Sequence, residues 1–122
     1  MLGKSENIMV DTLDLTNLNE AFDGDREGIA ELLDESVEFI AGAQTEMRAA
    51  LAAGDAPSIA KAAHTLKGTS ANIGAQIVSA ISAKIEADAK AGQLAELPSV
   101  FNELGDALGA LHDAVAAYKR SA

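Results

Sequence analysis

His64 lies in the segment His64-Thr65-Leu66-Lys67-Gly68-Thr69-Ser70, with Lys61 and Lys67 each one helical turn away. A neutral imidazole keeps one ring nitrogen with a free lone pair near neutral pH, because its ordinary pKa is about 6.5. That nitrogen can attack phosphorus in line and be displaced again, so a histidine can be a nucleophile with a labile product. Ammonium groups beside it would stabilise the negative charge of a transferring phosphoryl group. Lys67, on the side nearer Gly68, is the first candidate for that role and Lys61 the second. The remaining neighbours at helical spacing are Ala60, Gly68 and Ala71. They are small, so the ring is expected to stand on a flat patch open to a docking partner. A glycine inside a helix costs about 1 kcal/mol relative to alanine, and clearance for that partner is a reason for Gly68.

Two other readings of His64 are a packed core residue and a metal ligand. At 100° per residue, Leu66 and Ile73 lie about 160° and 180° from His64. The apolar stripe Ile59, Ala62, Leu66, Thr69 and Ile73 therefore faces the core while the imidazole faces out. The chain has no cysteine, and its other histidine, His112, belongs to no zinc-binding or dinuclear pattern. No metal site is expected, and His112 is read as a boundary residue at the edge of the fold. Charge supports the outward reading. Residues 56–85, 30 positions, contain no Asp or Glu in a chain that has 19 of them, while Lys61, Lys67 and Lys84 fall inside. An anion-tolerant patch is the simplest meaning.

Positioning such a histidine falls to helices. Ala and Leu dominate, only three Phe and one Tyr occur, and there are two Pro; strand-favouring residues are sparse. A short first helix is predicted over Leu13–Phe22, and longer ones over Arg26–Ala53, Ala56–Asn72, Ala75–Ala91 and from Pro98 onward. Asp25 and Asp55 supply caps, Gly54, Gly74 and Gly92 supply stops, and Pro57 falls in a first turn where its missing N–H costs nothing. The fourth helix carries Ile77, Val78, Ile81 and Ile85. The fifth carries Leu97, Phe101, Leu104, Leu108, Leu111, Val115 and Tyr118 at alternating spacings of four and three. Together these predict an all-α, up-down-up-down antiparallel four-helix bundle, with the short extra N-terminal helix capping one end. Residues 1–11 are expected to be loosely ordered and 12–122 to form the single domain. The apolar residues of the first helix, with Ile29, are read either as core or as part of a docking surface.

A net charge of −10 argues against binding nucleic acid or anionic lipid. No apolar run reaches the roughly 20 residues of a membrane span, and the N-terminus lacks the apolar core of a secretory signal. A cytoplasmic protein is the default, and the size suits a monomer.

The segment AAHTLKGTSANIGA, residues 62–75, resembles the signature of histidine-containing phosphotransfer (HPt) domains, His-x-Leu-Lys-Gly-Ser/Thr-Ser/Ala followed by Gly-Ala. His64, Leu66, Lys67, Gly68, Thr69, Ser70, Gly74 and Ala75 occupy those positions. The upstream FDGDREGIAELLDESVEFI is similar to the family's opening, and the resemblance spans residues 12 to about 118. It implies a carrier in two-component phosphorelays: His64 accepts a phosphoryl group from a receiver-domain phospho-aspartate or a sensor histidine kinase and passes it to another response-regulator receiver. Lys67 would assist with charge, Gly68 would leave room for the receiver, and the Mg²⁺ of such relays would belong to the receiver, so no cofactor is implied. Some members place a glutamine against the histidine from the next helix, and Gln76, near that helix's start, is the candidate. No nucleotide-binding loop occurs, which fits a phosphocarrier rather than an enzyme. A non-phosphorylated module that docks on a receiver or kinase is the alternative, set against the intact His64, Lys67 and Gly68. An HPt piece of a larger hybrid kinase is another, although the starting Met and the end soon after the fifth helix favour a free-standing protein.

Overall fold

Short turns between capped, amphipathic segments dictate the architecture. The computed structural model describes residues 13–121, so the expected loose segment 1–11 lies outside the described residues. Five helices follow one another, α1 (Thr16–Ala21), α2 (Arg26–Ala52), α3 (Ala56–Asn72), α4 (Gln76–Lys90) and α5 (Leu97–Arg120), with no strand among the described residues. Asp25 and Asp55 cap α2 and α3 by accepting from the backbone N–H of Gly28 and Ser58, each at 3.2 Å. Only three residues separate α2 from α3 and α3 from α4, which leaves antiparallel neighbours as the outcome. α3 packs on α2 and most broadly on α4, and α5 closes the ring against α2 and α4.

The core fills the centre of this four-helix bundle. Ile29, Leu33, Ile40 and Met47 enter from α2, Ile59 and Leu66 from α3, Ile85 from α4, and Leu97, Leu104 and Leu111 from α5, all fully buried. Each such side chain contributes about 1.5–3 kcal/mol through burial. Arg26 ties the start of α2 to the end of α5: its guanidinium stacks 4.4 Å from the Tyr118 ring centroid and donates to the Tyr118 carbonyl at 2.9 Å. No helix among the described residues is long and apolar enough to cross a membrane.

The segment leading into α1 lies across the α3–α4 turn. Leu13 and Leu18 are buried there, and Asp14 N–H donates to the Gly74 carbonyl at 2.8 Å. Ile29 is fully buried too, so Leu18 and Ile29 belong to the core, while Leu15 and Phe22 are partly buried against it. Gly74 has φ +78°, and a Cβ on it would run into the Asp14 carbonyl. The glycine therefore permits both the turn and the crossing.

Two buried faces differ from the sequence-based stripes. α3 buries Ile59, Ala60, Ala63, Leu66 and Ser70, with Ala62 and Thr69 only partly covered. Its face is rotated toward α4, the neighbour it packs on most. α4 buries Val78, Ser82, Ile85, Glu86 and Ala89, one stripe at spacings of three and four. Ile77, about 100° round the helix from Val78, is exposed.

Replacing Gly74 by alanine is expected to destabilise the fold by at least about 1–2 kcal/mol, the cost of a left-handed non-glycine residue, with the Asp14 collision added. Urea denaturation checks this; an unchanged midpoint would contradict the crossing.

Candidate functional site

His64 sits in the middle of α3 with 67% of its side chain exposed, while Leu66 on the opposite face is fully buried. The outward orientation expected from the helical wheel is the one observed. The imidazole is nevertheless not free. Its Nδ1 lies 2.9 Å from Oε2 of Glu86 on α4. The Glu86 side chain is only 8% exposed, and it also accepts from Lys67 Nζ at Oε1, 2.9 Å, and from Lys90 Nζ at Oε2, 3.1 Å. Ser79 Oγ donates to the Lys67 carbonyl at 3.1 Å, a second tie between α4 and this stretch of α3.

These contacts fix the protonation pattern. The ammonium groups of Lys67 and then Lys90, with a hydrogen bond from the His64 ring, hold the Glu86 carboxyl down to about 2 from its ordinary 4.5, against the upward push of burial. At neutral pH Glu86 is ionised and can only accept hydrogen bonds. Nδ1 must then donate, so the neutral ring carries its hydrogen on Nδ1 and its lone pair on Nε2. Nε2 lies across the ring from the carboxylate, on a side chain that is 67% exposed. The arrangement prepares one nitrogen as a nucleophile. Any group bonded to Nε2 would leave a cationic ring beside a ready counter-ion.

The other residues singled out in the sequence divide. Lys67 is beside the ring and ion-paired. Gly68 and Ala71 are exposed, and a Cβ on Gly68 would meet nothing within 4 Å; nothing inside the protein requires that glycine. Ala60, expected on the open patch, is instead buried in the core, because α3 turns that edge toward the bundle interior. Lys61 is exposed and makes no ion pair among the described residues; it lines a shallow groove between α2 and α3 with Phe39, Glu46 and Ala62. Gln76 is exposed at the start of α4, and Glu86 occupies the place expected for it. His112 is exposed on α5 beside Asp34 and Glu38 of α2, in a different groove.

Glu86 and Lys90 are the residues that the sequence reading missed. Glu86 is the first acidic residue after the acid-free run, and the antiparallel turn folds that boundary back onto the histidine. Its spacing of four from Lys90 was a further available signal.

The family model of the Hpt domain matches residues 27–114. Among solved structures, the chain is similar to the crystal structure of histidine-containing phosphotransfer protein B (HptB) from Pseudomonas aeruginosa PAO1. The two share 26% sequence identity with a TM-score of 0.80, over 89% of this chain and 96% of that one. A search of curated proteins finds no match.

Because the folded Glu86 carboxyl titrates at about 2 and the ordinary one at 4.5, its contribution to stability is present above 4.5 and disappears as pH falls toward 2. The stability gap between wild type and Glu86→Gln should accordingly narrow across that interval in urea denaturation series. A gap that widened on acidification would contradict the ionised, ion-paired state of Glu86.

Proposed function

The chain belongs to the Hpt domain family, and on that premise we propose that His64 carries a phosphoryl group between a receiver-domain phospho-aspartate, or a sensor histidine kinase, and another response-regulator receiver. Members of the family are phosphocarriers and not kinases. The observation that carries the assignment to His64 is its exposed ring with Nδ1 held on Glu86.

The Nε2 lone pair attacks the phosphorus of the donor acyl phosphate in line. The N–P bond forms as the bond from phosphorus to the donor's carboxyl oxygen breaks, and that electron pair leaves on the donor's carboxylate. The Nδ1 proton stays between the ring and Glu86, so no base has to remove it. The reverse step regenerates the neutral imidazole when a receiver aspartate attacks. Lys67 neutralises charge on the moving group, and the open surface at Gly68 and Ala71 admits the receiver. Lys61, farther round α3, contributes to the positive field along the approach. The Mg²⁺ of the exchange is the receiver's, and the exchange takes place in the cytoplasm.

Incubation with a phosphorylated receiver domain should place acid-labile, base-stable label on the wild type and none on His64→Gln. Equal labelling of the two proteins would remove His64 from the assignment.

A further inference from the structure

Thr45, Thr65 and Ser82 turn their hydroxyls back on their own helices, each donating to the carbonyl four residues earlier. Ser79 has the Ala75 carbonyl at that position, already bonded to its own N–H. Its hydroxyl crosses instead from α4 to α3 and donates to the Lys67 carbonyl at 3.1 Å. The other end of Lys67 is held by α4 as well, since its Nζ lies 2.9 Å from Oε1 of Glu86. Ser79 and Glu86 are seven residues apart, two turns of α4 and about 20° from one another around its axis. One stripe of α4 therefore holds Lys67 by its backbone and by its ammonium.

The bonded carbonyl belongs to the peptide that joins Lys67 to Gly68. Gly68 is exposed, and a Cβ there would meet nothing within 4 Å, so α3 keeps a helix-weakening residue one turn beyond His64. Such a glycine costs a helix about as much as one hydrogen bond contributes. We propose that Ser79 is a positioning residue for His64: its bond stiffens α3 at Gly68 and keeps Lys67 and the imidazole in register with the carboxylate that both touch. The inference rests on the phosphocarrier reading, in which Gly68 gives a receiver room to dock and Nε2 is the attacking atom. Val78, Ser82 and Ile85 pack α4 into the bundle, but such contacts tolerate a small slide that a directional hydrogen bond does not. Ser79 acts through the Lys67 backbone, and its removal leaves every group of the transfer chemistry in place.

The test uses the full chain as wild type, Ser79→Ala, Ser79→Thr and the double variant Ser79→Ala with Gly68→Ala. In Ser79→Ala the amide hydrogens of residues 68–72 should exchange roughly two- to ten-fold faster, the loss of one hydrogen bond, with those of α5 unchanged. The ¹⁵N resonances of the neutral His64 ring should move toward each other as the tautomer with hydrogen on Nε2 gains population. Ser79→Thr, which keeps the hydroxyl, should restore both readouts. Gly68→Ala should restore them without the hydroxyl, by removing the weak point that Ser79 offsets. Unchanged exchange and unchanged ring resonances in Ser79→Ala would overturn the role of Ser79 and leave the carrier reading standing. Failure of wild-type His64 to take label from a phosphorylated receiver would overturn the carrier reading, and with it the part of Ser79 in transfer.

Discussion

The ion-paired carboxylate of Glu86 is the constraint on which the arrangement around His64 depends. Wedged between α3 and α4 with little solvent contact, a carboxylate would be costly to ionise without partners. Lys67, Lys90 and the His64 ring supply them, and the carboxyl titrates at about 2 as a result. From that one ionisation state follow the donor role of Nδ1, the lone pair on Nε2 and an anion held beside the ring. An exposed histidine without such a partner would divide its neutral form between two tautomers and leave its orientation to solvent.

The fold serves this contact by fixing the register of α4 against α3. His64 and Glu86 are 22 residues apart and meet only because three residues reverse the chain at Gly74. A slip of one residue along α4 would swing Glu86 by about 100° and take its carboxylate away from the ring. The crossing of Asp14 over Gly74 holds the turn from outside, and the Ser79 bond to the Lys67 carbonyl holds the helices nearer the site. Small residues at the interface, Ala63, Ser70 and Ser82, all fully buried, let the two helices approach closely enough for the side chains to meet.

Much of this was legible in the residues. The bundle, its five helices and most of their ends followed from caps, glycine stops and apolar spacing, and α3 matches its expected limits residue for residue. The outward turn of His64 also followed, since the wheel needs only the helix itself and Leu66 as a core marker. What failed involved facing a second element. Ala60, expected on the open patch, lies in the core because a wheel does not reveal which flank meets a neighbour. The acid-free run was read as a property of the histidine's surroundings, yet its terminating residue, Glu86, folds back to the centre. A carboxylate in sequence looks like a solvated charge; only the antiparallel packing of α4 on α3 converts it into the partner of His64. Lys90 was hidden for the same reason, being meaningful only through Glu86.

The most direct measurement of the central claim is the identity of the phosphorylated ring nitrogen. Correlated ³¹P and ¹⁵N spectra of the protein, labelled by a phosphorylated receiver, should place the phosphorus on Nε2 of His64, with a hydrogen retained on Nδ1. Phosphorus on Nδ1, or on any other residue, would contradict the orienting role assigned to Glu86.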